Sequence, residues 1–139
     1  RDLHSFPTRR SSDLYSLDLI GATLTLVEPG YTEIALPYRA ELTQQKGYVH
    51  GGILGMIADS ACGYAAYSLM PATSSLVTVE YKINILAPAL GDLVARGQVI
   101  RPGRTLSVAR GEIYAADGTH VASMQQTLMM LADTPDTPA

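Results

Sequence analysis

The sequence predicts an α+β fold in which one long central helix is wrapped by a curved antiparallel β-sheet. Three observations carry this. Residues 51–69 form one nearly all-apolar segment with helical spacing. Four extended runs follow it, separated by turns rich in Pro and Gly. In the first of those runs Val77, Val79, Tyr81, Ile83 and Ile85 alternate with Thr78, Glu80, Lys82 and Asn84, which describes a sheet with one apolar face. Such a sheet and an apolar helix bury each other when the sheet wraps the helix.

Residues 1–14, RDLHSFPTRRSSDL, show neither strand nor helix period and no apolar core that would make them a signal peptide. They resemble a translated sequencing adapter, so this segment, with His4 and Phe6, is expected to be a non-native, unstructured leader. Residues 20–38 read as two β-runs around Pro29-Gly30, a hairpin. Residues 39–50 are polar and irregular, a loop with room for one helical turn. The helix follows. Ile53, Ile57 and Tyr64 share one spacing, Leu54, Ala58, Ala65 and Leu69 another, and Pro71 closes it. Interior glycines cost about 1 kcal/mol each against alanine, so Gly55 and Gly63 predict close backbone contacts. The later strands are expected at 75–87, 92–101, 104–116 and 119–131, as a four-stranded antiparallel meander. Asp117-Gly118 reads as a two-residue hairpin turn. The domain is expected to span 15–131, and the tail 132–139, ending DTPDTPA, to be disordered.

Composition narrows the function. A chain of 139 residues with 17% charged residues suggests one globular core. A net charge of −3 with scattered Lys and Arg argues against nucleic-acid binding. No apolar run reaches the roughly 18–20 residues of a membrane span. The single cysteine, Cys62, cannot pair within the chain, which fits a reducing, cytoplasmic setting. One Cys and two histidines outside the leader (His50, His120) make a metal site improbable.

The chemistry concentrates in GYVHGGILGMIADSAC, residues 47–62. Asp59 lies nine residues after His50, inside the apolar helix, with no basic residue between them. An unpaired carboxylate there is costly. The pattern leaves two readings. Asp59 either meets an Arg or backbone amide from another segment or lies on an exposed strip, or it serves as a general base in an apolar cleft. His50-Gly51-Gly52 starts the helix and leaves its first N–H groups open to a phosphate or to a carbonyl oxygen that gains charge. The plainer alternative is a tight turn.

Together with VTVEYKINILAPA and RPGRTLSVARGEIYAADG, this segment resembles the PaaI-type acyl-CoA thioesterases of the hotdog fold, over about residues 31–131. The resemblance implies hydrolysis of an acyl- or aryl-CoA thioester to free acid and CoA, with no metal or redox cofactor. It implies Asp59 as the catalytic carboxylate, either activating water or attacking the carbonyl. The Gly51 N–H would polarise the carbonyl and His50 would orient the turn or the substrate. Gln44 stands where many members carry Asn, one methylene shorter. Thr78 would assist the water, yet alternation puts it opposite Val77 and Val79, so its access requires a bulge or a partner subunit. Gly103, Arg104 and Thr105 would meet the CoA moiety, although Arg104 reads equally well as a solvated turn residue. The family further implies a homo-oligomer, a dimer or a dimer of dimers (a homotetramer), with each site shared between chains. Cys62 as nucleophile finds no supporting His, and His120 reads as a surface residue. Tyr48, Met56, Tyr64 and Tyr67 read as core or as an acyl pocket. The rival functions are a non-catalytic acyl-CoA-binding module and a dehydratase, the latter disfavoured by the nine-residue His–Asp spacing.

Overall fold

The computed structural model describes residues 15–134; the leader 1–14, with His4 and Phe6, and tail residues 135–139 lie outside them. A short helix α1 (Tyr15–Ile20), for which the sequence reading has no counterpart, buries Leu17 and Ile20, one turn apart. Strands β1 (Thr23–Glu28) and β2 (Tyr31–Leu36) form the expected hairpin. Gly30 at its turn has φ +75, a left-handed conformation that suits glycine. The loop that follows holds two single 3₁₀ turns, Ala40–Leu42 and Gln45–Gly47. Helix α2 (Gly51–Tyr67) comes next, then β3 (Ser75–Ile85), β4 (Leu93–Arg101), β5 (Leu106–Ala115) and β6 (His120–Leu131).

The sheet is six-stranded, in the order β1-β2-β4-β5-β6-β3, with every neighbouring pair antiparallel. This corrects the expected four-stranded meander. Only β4-β5-β6 is a meander; β3 pairs with β6 at the far edge, and β2 lies beside β4. The segment 86–92 crosses three strand spacings, about 14 Å, well within reach of seven residues. It passes beneath the helix start, where Val49 N–H donates to the Ala89 carbonyl at 2.9 Å. Turn residues mark where β3 ends; they do not specify which strand it pairs with.

A second correction concerns the face of β3. The register slips between Thr78 and Glu80, leaving Val79 as a bulged residue. Thr78 pairs with buried Leu128 and so faces the helix, as do Tyr81 and Ile83 beyond the bulge, opposite Gln126 and Met124. The single apolar face read from the alternation is therefore split. Val77 and Val79 stand 42% and 52% exposed on an edge strand. The β5–β6 turn is also longer than expected: Ala115 N–H donates to the Thr119 carbonyl across Ala116, Asp117 and Gly118. This is a three-residue loop with glycine at positive φ.

The helix rests on a flat seat. Gly97 and Gly111 pair across β4 and β5, and a Cβ on Gly97 would fall 2.3 Å from the Ala61 backbone. Next to them, buried Thr32 donates its hydroxyl to the Ala61 carbonyl at 2.6 Å. The glycines that permit close approach are thus mainly in the strands. In the helix, a Cβ on Gly55 would fall 3.0 Å from the Tyr81 hydroxyl, whereas one on Gly63 would make only an ordinary contact, 3.9 Å from Leu76. Around this seat Leu54, Ile57, Ala58, Ala61, Ile34, Leu93, Ile113, Met124 and Leu128 form the core.

Candidate active site

Asp59 has no cation as partner among the described residues. It is half-buried on α2 and faces the β3–β6 edge of the sheet. The Thr78 hydroxyl donates to Asp59 Oδ1 at 2.8 Å, and the Gln126 amide Nε2 donates to the same oxygen. Gln126 Nε2 also reaches Thr78 Oγ1 at 2.8 Å, so the three side chains form a closed triangle. Neither reading of Asp59 from the pattern alone contained this arrangement. The bulge at Val79 creates it by turning Thr78 inward.

Sequence reasoning missed Gln126. It is fully buried in β6, whose helix-facing row runs Ala122, Met124, Gln126, Leu128. An amide in an apolar row was the available signal, and it became readable only once the inward row of that strand was known.

A second group of predicted residues gathers at the start of α2. His50 caps the helix, with its Nδ1 accepting the Gly52 N–H at 2.8 Å. In that bond Nδ1 acts as the acceptor, which leaves Nε2 as the ring's donor position. The Gly51 N–H, at the first helical position, is an orphan donor with no acceptor among the described residues. Gln44, Tyr48, Val49, Gly51, Leu54, Ile85 and Pro88 line a pocket of about 350 Å³. Asp59 is not in its wall. Asp59 lies eight positions after Gly51, about 12 Å along a helix. Within one chain the two groups therefore do not converge.

The third predicted set, Gly103, Arg104 and Thr105, forms the β4–β5 turn at the opposite end of the sheet. Gly103 N–H donates to Ser107 Oγ at 3.2 Å, and a Cβ there would fall 1.8 Å from the Leu106 carbonyl oxygen, so the turn demands glycine. Arg104 is exposed and forms no ion pair with a described carboxylate.

The remaining candidates are packing or surface groups. Burial, followed by the charges of Asp59 and Glu112, pushes the Cys62 thiol up to about 12. A thiol so protonated is a poor nucleophile. His120 is not a free surface residue. It stacks on Tyr114 at 4.7 Å and lies 2.6 Å from Glu112, which also accepts from Ser123. Of the aromatic candidates, Tyr48 lines the pocket, while Tyr64 and Tyr67 are core. Among the described residues no His, Cys, Asp and Glu cluster suits a metal ion, and no helix is long and apolar enough to cross a membrane.

The sequence profile of the thioesterase superfamily matches residues 46–122, a span that holds the helix start, Asp59 and Thr78. The chain belongs to the thioesterase superfamily. Two proteins similar in sequence are candidate esterases. That of Halobacterium salinarum is 34% identical over 98 residues, covering 67% of this chain and 65% of that protein. That of Saccharolobus solfataricus is 38% identical over 93 residues, 66% of each. The matches thus span just under two thirds of those relatives' length. A thioesterase family protein from Silicibacter pomeroyi is 40% identical, with a TM-score of 0.81, covering 87% of this chain and 97% of that one. The PaaI protein of the Escherichia coli phenylacetic acid degradation operon shares the fold, at TM-score 0.81 and 21% identity over 96% and 99% of the two chains. The helix-in-sheet architecture is the hotdog fold expected from the sequence.

Proposed function

We propose that this protein hydrolyses an acyl- or aryl-CoA thioester to the free acid and CoA, with Asp59 as the catalytic carboxylate. The observation that carries the reading is the triangle of Asp59, Thr78 and Gln126: a carboxylate held by two neutral donors, with no cation to quench it. The Asp59 carboxylate takes a proton from water or attacks the thioester carbon directly. The carbonyl oxygen, gaining negative charge, is stabilised by the Gly51 N–H at the positive end of the α2 dipole.

That N–H comes from a second copy. The separation of about 12 Å along α2 supports this reading over convergence within one chain. Antiparallel pairing of two β3 edges across a two-fold axis sets the Thr78 end of one strand against the Ile85 end of the other. The Ile85 side chain lies 3.1 Å from where a Gly51 Cβ would be, so that end carries the helix start with it. The exposed Val77 and Val79 on an unpaired edge support this pairing. The pocket lined by Gln44, Tyr48 and Gly51 then receives the acyl group, His50 holds the turn in place, and Gln44 contacts the thioester. Gly103, Arg104 and Thr105 meet the CoA moiety, with Arg104 on a phosphate. The reading includes a cytoplasmic homo-oligomer, a dimer or dimer of dimers, acting without a bound cofactor.

A screen of short, medium, long and aromatic acyl-CoAs with a free-thiol readout identifies the substrate. On that substrate Asp59→Asn is expected to lose 10²–10⁴-fold in kcat, roughly the worth of a positioned acid–base group. A folded Asp59→Asn protein with wild-type turnover ends the proposal. Stoichiometric acyl-CoA binding without turnover across the screen indicates a binding module instead.

A further inference from the structure

We propose that Gln126 is the positioning residue of Asp59, and that it leaves Oδ2 as the oxygen that reacts. This rests on the reading of Asp59 as the catalytic carboxylate. Both hydrogen bonds to Asp59, from Thr78 and from Gln126, fall on Oδ1, and Oδ2 takes none among the described residues. A carboxylate anchored through one oxygen cannot spin about its Cβ–Cγ bond without breaking two bonds at once. The anchored oxygen has its lone pairs engaged, so the other is available for a water or a thioester carbon.

The geometry of Gln126 itself marks it as more than filler. Its side chain is fully buried, yet its Oε1 has no hydrogen-bond partner. A buried acceptor left unpaired costs about 1–3 kcal/mol. Rotating the amide by half a turn does not relieve it, because that sets a carbonyl oxygen against the Asp59 carboxylate and the NH₂ group in the unfavourable place. A methionine or leucine in this row would pack among Met124 and Leu128 with no orphan atom. The chain keeps an amide whose unpaired oxygen offsets part of what its two hydrogen bonds contribute, and the groups it serves are Asp59 and Thr78.

The test uses three variants of the full chain on the acyl-CoA that the wild type cleaves. Gln126→Met keeps the length and removes the amide. It is expected to lower kcat about 10- to 100-fold with KM within about twofold, in protein that remains folded at the assay temperature. On an Asp59→Asn background, Gln126→Met is expected to cause no further loss, because the two act as one unit. Gln126→Glu places a second carboxyl against Asp59, so the pair must share a proton. Its kcat relative to wild type should fall as pH rises, a slope that a purely structural role would not produce. Wild-type kcat in Gln126→Met, with Asp59→Asn inactive, overturns the positioning role alone. So does a kcat loss matched by lost stability with no pH slope in Gln126→Glu. If Gln126→Met fails to fold, the slope in Gln126→Glu decides. Wild-type turnover in Asp59→Asn instead removes the reading beneath.

Discussion

Asp59 and Cys62 lie one helical turn apart, and burial treats them oppositely. Asp59 is half-buried at the sheet edge and holds two donors; Cys62 is sealed in the core against Gly111. The Cys62 pKa is raised from an ordinary 9.0 to about 12. A raised folded-state pKa gives stability that is complete below pH 9 and lost as pH climbs toward 12, because the unfolded thiol ionises first. The advantage of wild type over Cys62→Ala in urea unfolding should therefore be flat below pH 8. Above pH 9 it should shrink by roughly 1 kcal/mol per pH unit. A thiol-reactive disulfide reagent should leave the native protein untouched at pH 8 and titrate Cys62 only on unfolding. At this scale the sequence was informative where a residue broke its surroundings, as Asp59 does. It was silent on Gln126, whose anomaly depends on which way a strand faces, and periodicity alone left Asp59's partners open.

The elements were legible because their signals are local. The helix, the β1–β2 hairpin and the four later strands lie within a few residues of their expected bounds. Two features were not legible: the pairing of β3 with β6 and the helix α1; the bulge at Val79 was one of two routes the sequence offered for Thr78, and packing selected it. Each depends on contacts distant in the chain. The seat of α2 shows the same division. A glycine in a strand pattern signals a close approach, but only packing shows that Gly97 receives Ala61. Gly97→Ala drives a Cβ into helix backbone, so the helix must lift, at a cost of about 1–3 kcal/mol or more. Gly63→Ala meets only open packing and should gain up to about 1 kcal/mol of helix propensity. Urea midpoints of the two variants should move in opposite directions; equal shifts would contradict the seat.

At the scale of the whole molecule, the proposed function splits each site between two chains. The carboxylate sits mid-helix, and the orphan N–H, with its pocket, sits at the helix start. Gly51→Pro removes that N–H at the first helical position, where proline is tolerated and His50 already has an extended backbone. Gly51→Pro and Asp59→Asn should each be nearly inactive. Denatured together and refolded, they should recover about a quarter of wild-type activity, as half the two-fold dimers are mixed and one of their two sites is intact. No recovery, with mixed dimers shown to form, would place the whole site in one chain. The amino-acid sequence by itself determined the elements, the outlying carboxylate and the family, because period, turn chemistry and motif spacing act over neighbouring residues. The tertiary structure decided which strand β3 joins, which way Thr78 points, what holds Asp59 and how far it lies from Gly51. Those are set by contacts such as Thr78–Leu128 and Gly97–Ala61, between residues far apart in the chain, and no local pattern encodes them.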